Sequence, residues 1–244
     1  MDTASFVEVL ETEGRLLADA AEEAGPGAPV PSCPGWEIRD LLAHTGTVHR
    51  WAAAFVADGH PAPRPMGEHP GLDGTGLLAW YRDGHRRLVD TLAGAAPDVE
   101  CFTFLTGSPS ALAFWARRQA HETAVHRFDA EAARGGNPSP VATDFAVDGV
   151  DELLRGFHSR HKSRVRTGRP RVLRVRATDA DAVWTVRLSP EPPVTTRDAR
   201  GDAECELAGP AAELYPALWN RRPLPAWSGD AELAALWRET SAVV

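Results

Sequence analysis

Apolar residues recur every three or four positions through the first half of the chain, and this spacing predicts four helices. The helices are expected over residues 3–24, 36–57, 75–95 and 110–134, with glycines or prolines between most of them. The connection over 58–75 is rich in both residue types, which predicts a long loop or a lid over a site. Four successive helices favour a bundle with the apolar faces turned inward.

The pattern changes after the sequence RGGNPSP at 134–140, which combines a helix stop with a stiff link and predicts a domain boundary. Beyond it, apolar and polar residues alternate in short stretches that predict strands, with a hairpin turn at 179–181. The expected elements are a helix over 142–163, strands over 172–179, 182–189 and 203–209, and helices over 210–220 and 230–240. The sequence therefore predicts an α+β fold, with a four-helix domain over 1–138 and a smaller α/β domain with an antiparallel sheet over 139–244.

The composition is that of an ordinary globular protein, with 244 residues of which 43% are hydrophobic and 25% are charged. A net charge of −8 without a basic stripe argues against nucleic acid as a partner. No run of ~18 apolar residues occurs, so no contact with a membrane is expected. The acidic N-terminal stretch lacks the basic and apolar regions of a secretory signal, which predicts a cytoplasmic protein. The three cysteines lie too far apart for a disulfide framework or a cysteine-based zinc site.

A carboxylate and a histidine in the fourth predicted helix have the spacing of metal ligands. Glu122 and His126 lie about 40° apart around the helix and one turn from each other, whereas His121 lies about 140° from His126. The second predicted helix offers His44 or His49, which are also about 140° apart, so only one of them is expected to face the bundle axis. We prefer His44 because it directly follows the apolar residues of the buried stripe.

Two histidines and one carboxylate, His44, Glu122 and His126, leave coordination positions open, which is the pattern of a catalytic rather than a structural zinc site. Nickel, iron(II) and manganese accept the same ligand types. Asp129, three residues after His126, is placed to accept a hydrogen bond from the imidazole. The competing interpretation is that all four are ordinary polar residues of helices, since this spacing alone is a weak signal.

Five stretches that together span nearly the whole chain carry a family resemblance. They are SCPGWEIRDLLAHTGTVHRW (32–51), FWARRQAHETAVHRFDAEAA (114–133), VDGVDELL (147–154), AGPAAELYPALWNRRPL (208–224) and WSGDAELAALW (227–237). They resemble the mycothiol-dependent maleylpyruvate isomerase family, part of the wider DinB/YfiT-like group of metal-binding four-helix bundles. The resemblance implies a DinB-like metal-binding domain followed by the family's C-terminal α+β domain. It also implies His44, Glu122 and His126 as the metal ligands, with Asp129 matching an aspartate that follows the second histidine.

The resemblance further implies an active-site arginine from the C-terminal domain. Arg221 in LWNRRP is the best match and Arg222 is the alternative, and either would bind a substrate carboxylate or a group of the thiol cofactor. The competing interpretation is a basic helix C-terminus, which the helix dipole favours. The candidate proton acceptor is Asp129, acting through His126, or a metal-bound hydroxide.

The family's chemistry implies an enzyme with a divalent metal, zinc in the first instance, and mycothiol as cosubstrate. The thiol would isomerise an unsaturated acid or be transferred to an electrophile, and the 58–75 loop has no feature that selects maleylpyruvate or any other substrate. Lys162 is the sole lysine among 26 basic residues, which indicates a GC-rich genome such as those of the actinobacteria that make mycothiol.

The expected partners are therefore a small-molecule substrate and a low-molecular-weight thiol, bound by a monomer or a homodimer. Two other function classes use the same ligands: a non-catalytic metal- or ligand-binding stress protein, and a metal-dependent hydrolase.

Other residues in these motifs are expected to have structural roles. Cys33 is assigned to a packed turn rather than to a reactive thiol, His49 and His121 to the core or surface, Trp36 to the core, and Arg117 and Arg118 to a solvated helix face.

Overall fold

Four helices form the first unit of the structure, as the sequence predicts. The computed structural model describes residues 1–243, and its first unit covers Met1–Ser139. Within it the helices are α1 (Thr3–Ala24), α2 (Ile38–Asp58), α3 (Gly74–Gly94) and α4 (Ala111–Arg134). Each end lies within two residues of the predicted one. Helix α1 packs against α3 and α4, and α2 packs against the same two helices, which makes the predicted bundle.

Side-chain caps and left-handed glycines set the ends of these helices. At the start of α1, Asp2 accepts a hydrogen bond from the backbone amide three residues on at 2.8 Å, and Ser110 does the same for α4 at 3.1 Å. Each cap satisfies an amide that the helix itself leaves unpaired. Gly25 and Gly135 directly follow the last residues of α1 and α4, and their φ angles of 84° and 90° are ones that favour glycine.

A network of buried charges joins α4 to α1. Arg127 of α4 has no solvent exposure, and its Nε donates to Glu13 of α1 at 2.7 Å. Its Nη1 donates to Glu131 at 2.7 Å and to the backbone carbonyl of Ser139 at 2.6 Å. The amide and hydroxyl of Ser139 both donate back to Glu131. The network therefore also fastens the segment after α4 to the bundle.

The second unit begins at Pro140, close to the predicted boundary, and combines helices with a sheet. Its helices are α5 (Thr143–Asp151), which continues as a π-helical turn over Glu152–Phe157, α6 (Ala211–Leu218) and α7 (Ala231–Thr240). Its strands are β1 (Arg171–Ala177), β2 (Ala182–Leu188), β3 (Val194–Thr196), β4 (Cys205–Gly209) and β5 (Trp227–Gly229), in the order β3-β2-β1-β4-β5. In residues 1–243, none of the helices has both the length and the apolar character needed to cross a bilayer.

The α+β class is confirmed, and the sheet differs from the prediction in being mixed. Strand β1 pairs antiparallel with β2 but parallel with β4, where Leu173 lies opposite Cys205. Alternation of apolar and polar residues determines which face of a strand is buried, but it carries no information on the direction of the neighbouring strand. The edge strands β3 and β5 were not predicted, because three residues are too few to show a period.

The predicted helix over 142–163 is shorter in the structure. It ends with the π-helical turn at Phe157, and residues 158–162 form turns. Phe157 is the last apolar residue before Val165, so the intervening residues have no apolar stripe to bury. Gly156 weakens the helix further at this point.

His158 follows the π-helical turn and is buried in the second unit. Its Nδ1 lies 3.0 Å from Ser163 Oγ, and its ring packs against Trp237. Burial lowers the pKa of His158 to about 4. In the unfolded chain this histidine has its ordinary pKa of about 6.5, so it binds a proton more readily there than in the folded state. We expect this residue alone to remove about 2 kcal/mol of stability between pH 7.5 and pH 5, with the loss complete below about pH 4.

Urea unfolding of the wild type and of His158→Gln at both pH values measures this effect. The variant lacks the titrating group, so its free energy of unfolding should fall by about 2 kcal/mol less than that of the wild type. His161→Gln changes an exposed histidine three residues away and is expected to follow the wild type. Equal pH dependence in the wild type and His158→Gln would show that His158 is not responsible.

Candidate metal centre

Three of the predicted site residues meet at one place in the bundle. Helix α2 supplies His44 and α4 supplies Glu122 and His126, and one ligand atom of each lies within 4.8 Å of the other two. Glu122 Oε1 is 3.5 Å from His44 Nε2 and 3.3 Å from His126 Nε2. The side chains of His44 and Glu122 are 27% and 22% exposed, so the cluster is in contact with solvent.

The local sequence of α2 orients His44. At the start of the helix, Asp40 accepts a hydrogen bond from the backbone N–H of Glu37 at 2.9 Å. Ile38 and Leu41 are fully buried and turn one face of α2 into the bundle. His44 lies one turn after Leu41 and therefore sits at the edge of that buried face.

The donor set fits a divalent metal ion. Imidazole and carboxylate ligands bind zinc at about 2.0–2.1 Å, and a tetrahedral arrangement of such bonds places neighbouring donor atoms about 3.3–3.4 Å apart. The separations of 3.5 Å and 3.3 Å around Glu122 Oε1 are close to this value. The two histidine nitrogens and one carboxylate oxygen also leave room for an exchangeable ligand.

Arg118 lies directly behind Glu122. It is one turn earlier in α4, its side chain is 2% exposed, and its Nη2 is 3.1 Å from Glu122 Oε2. Burial tends to raise the pKa of Glu122, but hydrogen bonds from His126 and His44 and the charges around it hold that pKa well below its ordinary value. The assignment of Arg118 to a solvated face was wrong. Its four-residue spacing from Glu122 is the signal that could have revealed the pairing.

Asp129 holds His126 from the side away from Glu122. Its Oδ2 lies 2.8 Å from His126 Nδ1, and its side chain is fully buried. Burial tends to lower the pKa of His126, but hydrogen bonds with Asp129 and Glu122 raise it to about 9. Because Nδ1 is engaged by Asp129, Nε2 is the nitrogen directed toward Glu122.

Trp36 packs beside both histidines of the cluster. Its ring centroid is 5.1 Å from that of His44, and it stacks on His126 at 6.3 Å with an angle of 20° between the planes. The sequence placed Trp36 in the core. It does pack against the core, and in addition it forms a wall of the ligand cluster.

The other two histidines of these motifs lie in the bundle core, in line with the structural roles expected for them. His49 is fully buried, and its Nε2 is 2.9 Å from Thr123 Oγ1. Burial, and next the charge of His85, lower the pKa of His49 well below its ordinary value. His121 is also fully buried and packs edge-on against Phe6 at 5.9 Å.

Arg221 and Arg222 lie in the second unit, directly after α6. Arg221 is half-buried, and its Nη1 donates to the backbone carbonyl of Trp219 at 2.9 Å. Arg222 is exposed, and its carbonyl accepts a hydrogen bond from Arg238 at 2.7 Å. Of the two, Arg221 has the more closely constrained side chain.

Two family models cover most of the chain. The model described as the mycothiol maleylpyruvate isomerase N-terminal domain matches residues 7–131, and the one described as the MDMPI C-terminal domain matches residues 144–236. The chain belongs to the mycothiol maleylpyruvate isomerase family. This confirms the resemblance seen in the sequence motifs, and each family domain falls within one unit of the structure.

Two crystal structures of a family enzyme have similar folds. The structure of the mycothiol-dependent maleylpyruvate isomerase aligns with a TM-score of 0.62 and 13% identity, covering 95% of both chains. A histidine-to-alanine mutant of the mycothiol-dependent maleylpyruvate isomerase aligns with a TM-score of 0.60 and 11% identity, covering 91% of this chain and 90% of the other. At such identities the similarity shows the fold. None of the curated proteins compared matches this sequence.

Proposed function

We propose that this chain is a metal-dependent enzyme that uses mycothiol to isomerise an unsaturated acid or to transfer the thiol to an electrophile. The observation that carries the proposal is the cluster of His44, Glu122 and His126, whose donor separations suit a metal with an open position. Membership of the mycothiol maleylpyruvate isomerase family supports mycothiol as the thiol.

The three clustered residues would hold the metal, zinc in the first instance. The bound ion supplies a positive charge that lowers the pKa of a thiol, so that the thiolate is available at neutral pH. Asp129 keeps the Nδ1–H of His126 in place, so that Nε2 remains the ligand atom. Arg118 pairs with Oε2 of Glu122, which leaves Oε1 directed toward the two histidines.

The proposed isomerisation is an addition followed by an elimination. Attack of the thiolate on a conjugated cis double bond forms an S–C bond and moves the π electrons onto the conjugated carbonyl. Rotation about the new single bond and expulsion of the thiolate give the trans product and return the thiol. In a transfer reaction the S–C bond persists, and the electrophile's leaving group departs with its electron pair. In both reactions the thiol proton leaves to solvent at the partly exposed side of the cluster. Asp129 then acts on His126 as an orienting partner and not as the proton acceptor considered above.

The direct test supplies the purified protein with zinc, mycothiol and a panel of electrophiles that includes maleylpyruvate. We expect turnover that requires the metal and the thiol together, measured as isomerised acid or as loss of free thiol. Formation of a hydrolysed product without thiol would instead favour the metal-dependent hydrolase. Metal binding without turnover of any of these electrophiles would favour the non-catalytic function.

Arg221 is the residue that we propose for the substrate carboxylate. A charge-assisted hydrogen bond of this kind contributes about 1.5–3 kcal/mol, so Arg221→Ala is expected to raise KM about tenfold or more. The metal content should not change, because Arg221 is not a metal ligand. Arg222→Ala removes the exposed neighbour and is the matched control. A larger effect from Arg222→Ala than from Arg221→Ala would reverse the assignment.

A further inference from the structure

The segment that precedes α2 is a closed turn with its own hydrogen bonds. The backbone N–H of Val30 donates to the carbonyl of Trp36 at 2.9 Å. The N–H of Cys33 donates to the carbonyl of Val30, and the N–H of Trp36 donates to the carbonyl of Cys33, at 3.0 Å each. Gly35 has a φ of 87°, which lets the chain reverse just before Trp36. The turn therefore holds its side chains in set directions relative to the bundle.

Two side chains of this turn reach the carboxylate of Asp129. Ser32 Oγ donates to Asp129 Oδ1 at 2.5 Å, and Cys33 Sγ lies 3.5 Å from Oδ2. Ser32 and Asp129 are 97 residues apart in the chain. Asp129 has no solvent exposure, so its orientation depends on donors from the protein.

The same carboxylate holds the imidazole of His126, with Oδ2 at 2.8 Å from Nδ1. Ser32 binds the other oxygen, Oδ1, and so restrains rotation of the carboxylate about its χ2 bond. Rotation of Asp129 would turn Oδ2 away from His126 and free the imidazole to tilt. Partners of this kind, one step behind a ligand, set the direction of the ligand nitrogen.

We propose that Ser32 is a positioning residue of the metal centre, acting through Asp129 on the direction of His126 Nε2. This inference rests on the proposed metal-binding function of His44, Glu122 and His126. Its alternative is that Ser32 merely satisfies a buried carboxylate and contributes to folding alone. A positioning role predicts that loss of the Ser32 hydroxyl weakens zinc binding. A purely structural role predicts lower stability with unchanged zinc affinity.

The experiment measures the dissociation constant for Zn²⁺ of the metal-free full chain by competition with a chromophoric chelator. Ser32→Ala is expected to bind zinc about tenfold more weakly than the wild type, the lower end of the loss seen when a direct partner of a ligand is removed, because Ser32 acts through Asp129. Ser32→Thr retains the hydroxyl and should restore most of the affinity. Melting temperatures are recorded for every variant, so that affinity and stability are compared directly.

Ser110→Ala is the matched control for lost stability. It removes the hydroxyl that caps α4, the helix carrying Glu122 and His126, without touching the cluster. We expect it to lower the melting temperature and leave the zinc affinity unchanged. The same pattern in Ser32→Ala, with stability lost and affinity kept, would overturn the positioning role. A wild type that binds no zinc would overturn the proposed metal site itself, and the inference with it.

Discussion

Replacing His126 by alanine is expected to abolish metal binding and to leave the bundle folded. The wild type should hold about one zinc ion per chain and the variant less than about 0.1, because two protein ligands are too few to retain the ion. Helix content should persist, since ligands of an open site contribute less to folding than those of a structural site. Elemental mass spectrometry measures the metal, and circular dichroism measures the helix content.

A thermal measurement adds a second readout. Zinc binds the folded state and should raise the melting temperature of the wild type but not that of His126→Ala. Glu122→Gln replaces the carboxylate by a neutral amide, which is a much weaker metal ligand, and is expected to behave in the same way. His69→Ala changes an exposed histidine of the connection between α2 and α3 and should retain both metal and thermal response. Unchanged zinc content in both ligand variants would refute the cluster as the metal site.

Replacing Arg127 by methionine is expected to reduce the free energy of unfolding of the first unit by about 3–5 kcal/mol. Arg127 is fully buried and donates to Glu13 and Glu131 at 2.7 Å each. Methionine fills similar volume but removes the cation that pairs with both Glu13 and Glu131, and Glu131 keeps only the more distant Arg134, at 3.9 Å. It also releases the carbonyl of Ser139, so the segment after α4 loses one of its attachments. Urea unfolding followed by circular dichroism measures the loss.

The loss should depend on pH in a defined direction. Burial already raises the pKa of Glu13 in the presence of Arg127, and removing the cation raises it further. The folded variant therefore takes up a proton more readily than its unfolded chain. The difference in free energy of unfolding between the wild type and Arg127→Met should become smaller as the pH is lowered from 7 to 5. Arg82→Ala, which removes an exposed arginine paired with Glu22 across α1 and α3, should cost less than about 1 kcal/mol. An equally small loss in Arg127→Met would show that the buried network contributes little.

Local patterns were sufficient for much of the bundle. Each of α1 to α3 buries an apolar stripe with helical spacing, and Gly25 and Gly135 follow helix ends that the sequence already indicated. The pairing of Glu122 with His126 was also predictable, because both lie on one face of one helix. His44 was selected over His49 from its place beside the buried stripe of α2, and the structure brings His44 into the cluster.

Contacts between distant segments were decided by the tertiary structure. The burial of Arg118 depends on packing around α4, and the bond from Ser32 to Asp129 joins residues 97 positions apart. The parallel pairing of β4 with β1 joins strands that β2 and β3 separate along the chain. The sequence by itself determined the four helices of the bundle, the class of fold and the shared face of Glu122 and His126 within α4, because neighbours within one or two turns settle those features. The complete site required the fold, because its remaining partners come from segments whose meeting no local pattern specifies.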